Sequence, residues 1–248
     1  MTTHIGMLLY PGLTQLDLTG PFEVLHRVPD TVVHLVWKTL DTVVADSKLG
    51  LVPTTTLAAC PKLDVVFVPG GPGQMALMGD SAVLGFLATQ AKGARYVTSV
   101  CTGALVLGAA GLLDGYDAAT HWAFMDALPM FGARPVRKRV VVDRTRITGG
   151  GVTAGIDFGL TLAAELAGEA IAKGIQLGLE YDPAPPFGCG HPDVAEPDVV
   201  ATVRAHFDEA YRKRMGQSAS FATASAPAPA SGDGSDARRG GTPGSALS

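Results

Sequence analysis

The chain has 248 residues, 47% of them apolar and 17% charged, with a formal net charge of −4. That balance supports a filled core and excludes a disordered chain. It gives no electrostatic reason to expect a nucleic-acid partner, because the longest basic run is Arg137-Lys138-Arg139.

No uninterrupted apolar stretch reaches the roughly 18 residues of a membrane-spanning helix, so no membrane contact is expected. The opening, Met1 to Tyr10, lacks a basic segment and a small-residue cleavage site, and reads as a strand rather than a signal peptide. Cys60, Cys101 and Cys189 are an odd set at spacings that match no zinc or disulfide pattern. A reducing cytoplasm fits such a chain best, with no metal site expected.

In chain order, Ile5–Leu9 reads as a strand, Thr14–His26 as a helix, and Val32–Trp37 and Val65–Val68 as strands. Ser81–Lys92 reads as a helix, Tyr96–Val100 as a strand, and Gly103–Leu113 and Ala123–Leu128 as helices. Val140–Val142 follows as a strand, then Thr153–Leu166 and Glu169–Leu179 as helices. The strand blocks are continuously apolar and β-branched, which suggests burial on both faces, as in a parallel sheet. Strand and helix alternate, so the fold expected is α/β: a doubly wound, mostly parallel sheet sandwiched by helices.

Beyond these elements, the prolines of Tyr181–Phe187 forbid a helix and favour an extended strap. An amphipathic helix is expected over Pro197–Arg214. From residue 217 onward Ala, Ser, Pro and Gly dominate, a composition that cannot bury apolar area. The expected organisation is one α/β domain over residues 1–216 and a disordered tail over 217–248.

Cys101 carries the chemical signal. Strand Tyr96–Val100 runs directly into it, and an Ala/Leu-rich helix begins within two residues, with the small Gly103 and Ala104 where helix and strand pass closely. This is the layout of a nucleophile elbow, which lifts one side chain over a sheet edge. A buried cysteine is otherwise a small hydrophobe; that reading, or a surface-loop cysteine, is given to Cys60 and Cys189. The helix start behind Cys101 is expected to favour thiolate. Strand Val65–Val68 ends in Pro69-Gly70-Gly71, where the backbone can approach a ligand, and the amides of Gly71 and Thr102 are candidate donors to a reacting atom. Asp17 sits between Leu16 and Leu18, whose apolar surroundings would raise its pKa; a helix-start acid is the plainer reading. His121 follows a short apolar strand without an evident partner.

Together these pieces resemble the ThiJ/PfpI superfamily, the class I glutamine amidotransferase-like fold, over about residues 3–212. The resemblance rests on Pro69-Gly70-Gly71, Ser99 to Ala104, Thr120-His121-Trp122 and Thr148–Gly155. Within it, Asp17–Glu23, Cys101-Thr102-Gly103 and Leu179–Phe187 are most similar to the bacterial isonitrile hydratases. That similarity implies a carbon–nitrogen lyase that hydrates an isocyanide to an N-substituted formamide, without metal or organic cofactor. It implies Cys101 as nucleophile, Asp17 as acid and base, and Thr102 as helper, with Gly70, Gly71 and His121 as candidate substrate or oxyanion contacts. The partners implied are an isocyanide, water and a second copy of the chain, with the Tyr181–Phe187 strap and the first helix near the contact.

Thr102 stands where related peptidases carry His, which disfavours a peptidase. Asp17 stands where glyoxalase- and deglycase-type members use Glu. Regulators of the AraC type share the domain and elbow but add DNA-binding helices that this tail cannot supply. A glyoxalase-like enzyme and a redox- or ligand-sensing domain remain the alternatives, since an accessible reactive thiol serves either role.

Overall fold

A computed structural model describes residues 2–209; the end of the last expected helix and the tail lie outside them. The elements are β1 (Thr3–Leu8), α1 (Gln15–Leu25), β2 (Thr31–Trp37), β3 (Val43–Val44), β4 (Gly50–Leu51), β5 (Thr55–Thr56) and β6 (Val65–Val68). Then come α2 (Gln74–Leu77), α3 (Ser81–Ala91), β7 (Tyr96–Val100), α4 (Gly103–Ala109), β8 (Asp117–Ala118) and a 3₁₀ segment (Trp122–Phe131). They close with β9 (Arg134–Pro135), β10 (Val140–Asp143), β11 (Arg146–Gly149), α5 (Ala154–Ala167) and α6 (Glu169–Gly178). A further helix begins at 197 and runs to the limit of the described residues. No helix among those residues is long and apolar enough to cross a membrane.

The seven-stranded sheet runs β10-β11-β7-β6-β1-β2-β5 and is parallel except for the antiparallel β10–β11 pair. Every residue of β6 and β7 is buried, as strands covered on both faces must be. Helices α1, α5 and α6 pack together in one layer, and α4 packs with α2, α3 and the 3₁₀ segment in the other. Phe67 of β6 meets Phe158 of α5 at a ring separation of 5.4 Å, joining sheet and helix layer in the core.

The five longest-linked parallel strands take the order β2-β1-β6-β7-β11, so the winding reverses between β1 and β6. In open α/β sheets the crevice outside the strand ends at such a reversal receives ligands. Here the loops after β1 and β6 are laced together: Thr14 N donates to Gly70 O at 2.9 Å and Gly73 N to Gly12 O at 3.0 Å. A side chain at Gly73 would lie 2.0 Å from the Pro11 carbonyl oxygen, so only glycine admits this approach.

Two expected helices change form. Helix α4 stops at Ala109 rather than Leu113, because Gly111 takes a left-handed φ of 72° just beyond it. Expected helix Ala123–Leu128 is a 3₁₀ segment that contains Pro129 and ends at the left-handed Gly132. Strand β11, absent from the sequence reading, forms because Arg146–Gly149 pair with Val97–Val100 on one side and β10 on the other.

Candidate active site

Asp17, in the first turn of α1, is fully buried. Its Oδ2 accepts the Gly70 amide at 2.9 Å, while Oδ1 has no hydrogen-bond partner among the described residues. Burial raises its pKa from 3.8 to about 7, against the opposing pull of Cys101 and the Gly70 N–H; the nearby charge of Asp46 adds to the rise. Leu18 beside it is buried, as the flanking leucines lead one to expect.

Cys101 forms the corner between β7 and α4 with a left-handed φ of 55°. A non-glycine residue pays roughly 1–2 kcal/mol for that conformation, and the surroundings hold it there. Its N–H donates to the carbonyls of Gly149 and Gly150 at 3.1 and 2.8 Å. Its carbonyl accepts from Thr120 Oγ1 at 2.8 Å. On the helix side a Cβ at Gly103 would lie 2.1 Å from the Val68 carbonyl oxygen, so α4 starts close to β6 only because that residue is glycine.

The Cys101 thiol interacts with the Asp17 carboxyl and with both the amide and hydroxyl of Thr102. Burial pushes the thiol well above its ordinary range, and the Asp17 charge pushes the same way. Thr102 pulls it down, as a helix start should, but does not prevail. The expected bias toward thiolate is therefore reversed: the sulfur rests as a thiol against a carboxylate that titrates near neutrality.

Gly70 and Gly71 hold this pair from the opposite loop. A Cβ at Gly70 would lie 2.6 Å from Thr102 N, 2.7 Å from Asp17 Oδ2 and 2.8 Å from Cys101 Cβ, so three groups converge on its bare face. The Gly71 amide donates to Thr102 Oγ1 at 3.0 Å, which leaves the hydroxyl hydrogen for the Cys101 sulfur. Both glycine amides are thus engaged by protein groups, which makes them positioning donors rather than an empty donor pair for a reacting atom.

His121 stands apart and makes no hydrogen bond to Cys101 or Asp17 among the described residues. Its Nδ1 accepts from the Ala123 amide at 3.3 Å, and burial lowers its pKa to about 4, so the ring is neutral. It lines a cavity of about 460 Å³ with Trp122 and Arg137. Cys101 and Asp17 are not among the lining residues; the cavity reaches the elbow through Thr120 and Gly150. Cys60 is half-buried, its thiol raised to about 11 by burial, and Cys189 is exposed.

Two contributors escape the sequence reading. Thr120, quoted there only as a neighbour of His121, clamps the Cys101 carbonyl. Tyr10 is fully buried and donates to the Pro69 carbonyl at 2.8 Å, fixing the residue before Gly70. Burial first, then the charges of Asp17 and Cys101, keep its phenol protonated. The one signal for Tyr10 is a hydroxyl at the end of an otherwise aliphatic strand.

Residues 3–165 match the DJ-1/PfpI family. The chain is 58% identical over 204 residues to the isonitrile hydratase of Pseudomonas putida, which spans 82% of this chain and 90% of that protein. A crystal structure of a ThiJ/PfpI family protein from Pseudomonas syringae superposes with a TM-score of 0.84 at 46% identity, covering 86% of this chain and 89% of that one. The HTH-type transcriptional regulator GbdR of Pseudomonas aeruginosa is 32% identical over 189 residues, 72% of this chain but 50% of the regulator. Fold, elbow and match together place the chain in a class of α/β proteins built around a cysteine corner. It belongs to the DJ-1/PfpI family.

The buried carboxyl gives a signed expectation for stability. Folding raises the Asp17 pKa from 3.8 to about 7, so the native state binds more protons than the unfolded chain and loses stability as pH rises through that window. Asp17→Asn removes that loss. Its melting temperature is expected to exceed wild type at pH 8 and to converge with it toward pH 4, as calorimetry across pH will record.

Proposed function

We propose that the chain is an isonitrile hydratase, converting R–N≡C and water to an N-substituted formamide through a thioimidate on Cys101. The carrying observation is the buried Asp17–Cys101 pair, in a chain 58% identical to the P. putida isonitrile hydratase. An isocyanide carbon must accept both a proton and a nucleophile. A thiol beside a carboxylate supplies both from one side.

In the active form Asp17 is ionised and Cys101 is a thiol. Asp17 takes the thiol proton and passes it to the isocyanide carbon while sulfur bonds to the same carbon, giving R–N=CH–S–Cys101. The carboxylate, free again, takes a proton from water as the water oxygen adds to that carbon, and hands it to nitrogen. The intermediate R–NH–CH(OH)–S–Cys101 then breaks its C–S bond. Its hydroxyl proton returns through Asp17 to sulfur, and R–NH–CHO leaves. Oδ1, without a hydrogen-bond partner among the described residues, is the oxygen suited to carry these protons. A pKa of about 7 lets one carboxyl serve as base and acid in turn near neutrality. Thr102, anchored by Gly71, holds the sulfur as it gains and loses charge. The raised thiol pKa weighs against a redox sensor, whose sulfur must be thiolate to oxidise readily. A thiol catalyst works in a reducing compartment, so we place the enzyme in the cytoplasm.

The reading is tested by following the formyl proton by NMR with a simple alkyl isocyanide. Formamide is expected in large excess over protein, and none from Cys101→Ala. The kcat/KM is expected to climb with unit slope as pH rises to about 7 and then level, as Asp17 ionises. Asp17→Asn should lose that limb and about a hundredfold or more in rate. Turnover by Cys101→Ala would refute the assignment.

We further infer a homodimer. Tyr181 is tied to its own domain, its hydroxyl donating to Asp157 Oδ2 at 3.0 Å, so the strap's first residue folds back. Phe187 at its far end is 74% exposed and Leu177 of α6 82%, which leaves apolar surface for a symmetric contact. Light scattering should give twice 25.5 kDa at micromolar concentration, and Phe187→Asp should return it to that monomer mass. A monomeric wild type refutes the dimer, and a dimeric variant moves the interface elsewhere.

A further inference from the structure

The cavity beside the elbow is cationic in a chain whose net charge is −4. Arg137, Lys138, Arg139 and Arg204 line it, and among the described residues no Asp or Glu does. Arg139 is neutralised by its ion pair with Asp157. Arg137 and Lys138 have no ion-pair partner among the described residues, so their charge is uncompensated at the cavity wall.

His121 adds a directed donor. It is only 9% exposed, and because Nδ1 accepts the Ala123 amide, the hydrogen of the neutral ring sits on Nε2. That N–H has no acceptor among the described residues, although the ring lines the cavity. The donor is open to the cavity, and a ligand oxygen there would accept its hydrogen. Trp122, whose ring carries the Arg204 guanidinium 5.2 Å from its centroid, supplies an apolar wall alongside with Met125 and Val136. An inorganic anion would leave that wall in water within a space of about 460 Å³, and a neutral apolar molecule would leave the Nε2–H unmatched. A molecule with a carboxylate at one end and a flat body at the other meets both demands.

We propose that this cavity binds a small organic anion, a carboxylate on a flat apolar body, at a site distinct from the Cys101 thiol. The carboxylate is taken by His121 Nε2 and the Arg137–Lys138 pair, and the body lies against Trp122. The inference stands apart from the hydratase reading, because binding is measured without turnover.

The test titrates benzoate into the full chain by calorimetry, with benzamide as its neutral counterpart. Benzoate is expected to bind with a Kd of about 1 mM or tighter, and benzamide at least about tenfold more weakly. The double variant R137Q/K138Q alters exposed side chains, and its melting temperature verifies folding. It should weaken benzoate about tenfold and leave benzamide unchanged. Benzoate should also change the tryptophan fluorescence of the wild type, and Trp122→Phe, with Trp37 remaining, should erase that response. The proposal fails if benzoate does not bind at that level, if benzamide binds as well, or if the double variant binds benzoate like wild type. It fails equally if the fluorescence response survives in Trp122→Phe.

Discussion

A carboxylate removed from water beside a thiol is the constraint on which the rest of the site depends. Neither group ionises easily there, since burial raises both and the Asp17 charge pushes the Cys101 thiol higher still, while the thiol draws Asp17 partway down. Asp17 therefore titrates first, near neutrality, beside a sulfur that remains a thiol. The protein tempers this with three donors, the Gly70 amide on Asp17 and the Thr102 hydroxyl and amide on Cys101. Stronger compensation would return Asp17 to an ordinary carboxylate, unable to give a proton back near neutral pH. Oδ1, without a hydrogen-bond partner among the described residues, is consistent with that balance.

Backbone packing of unusual closeness brings these groups together. The sheet reverses its winding between β1 and β6, and the loops leaving those strands are laced by hydrogen bonds and by Gly70, Gly71 and Gly73. A Cβ at Gly71, whose φ is 131°, would lie 2.2 Å from Thr14 N. The strained corner at Cys101 is fixed from behind by Gly149, Gly150 and Thr120. Strain at one residue is tolerable when every backbone group around it is satisfied. The cavity begins on the far side of this clamp, so Thr120 and Gly150 belong to both regions at once.

The sequence reveals the parallel sheet because β6 is an unbroken apolar run and β7 breaks from one only at the small Thr98 and Ser99, a pattern that two-sided burial explains. It reveals Cys101 because strand, cysteine, small residues and helix adjoin one another. Asp17 is legible through its leucine neighbours. Strand β11 is not, because Arg146-Ile147-Thr148-Gly149 offers one large apolar side chain and owes its form to its neighbours. The roles of Gly71, Thr120 and Tyr10 are equally hidden, since their partners lie 31, 19 and 59 residues away. The thiolate expectation fails for a related reason. A helix start acts locally and is visible in sequence, whereas the burial that outweighs it is assembled by the whole fold.

The chemistry of the site turns on the protonation of one carboxyl. Carbon-13 NMR of the protein with labelled aspartate, assigned by the loss of one signal in Asp17→Asn, follows that group directly through pH. A midpoint near 7, moving higher in Cys101→Ala as the thiol's pull is lost, is the behaviour this structure requires. A midpoint near the ordinary 3.8, indifferent to Cys101, would show that the two groups share no proton.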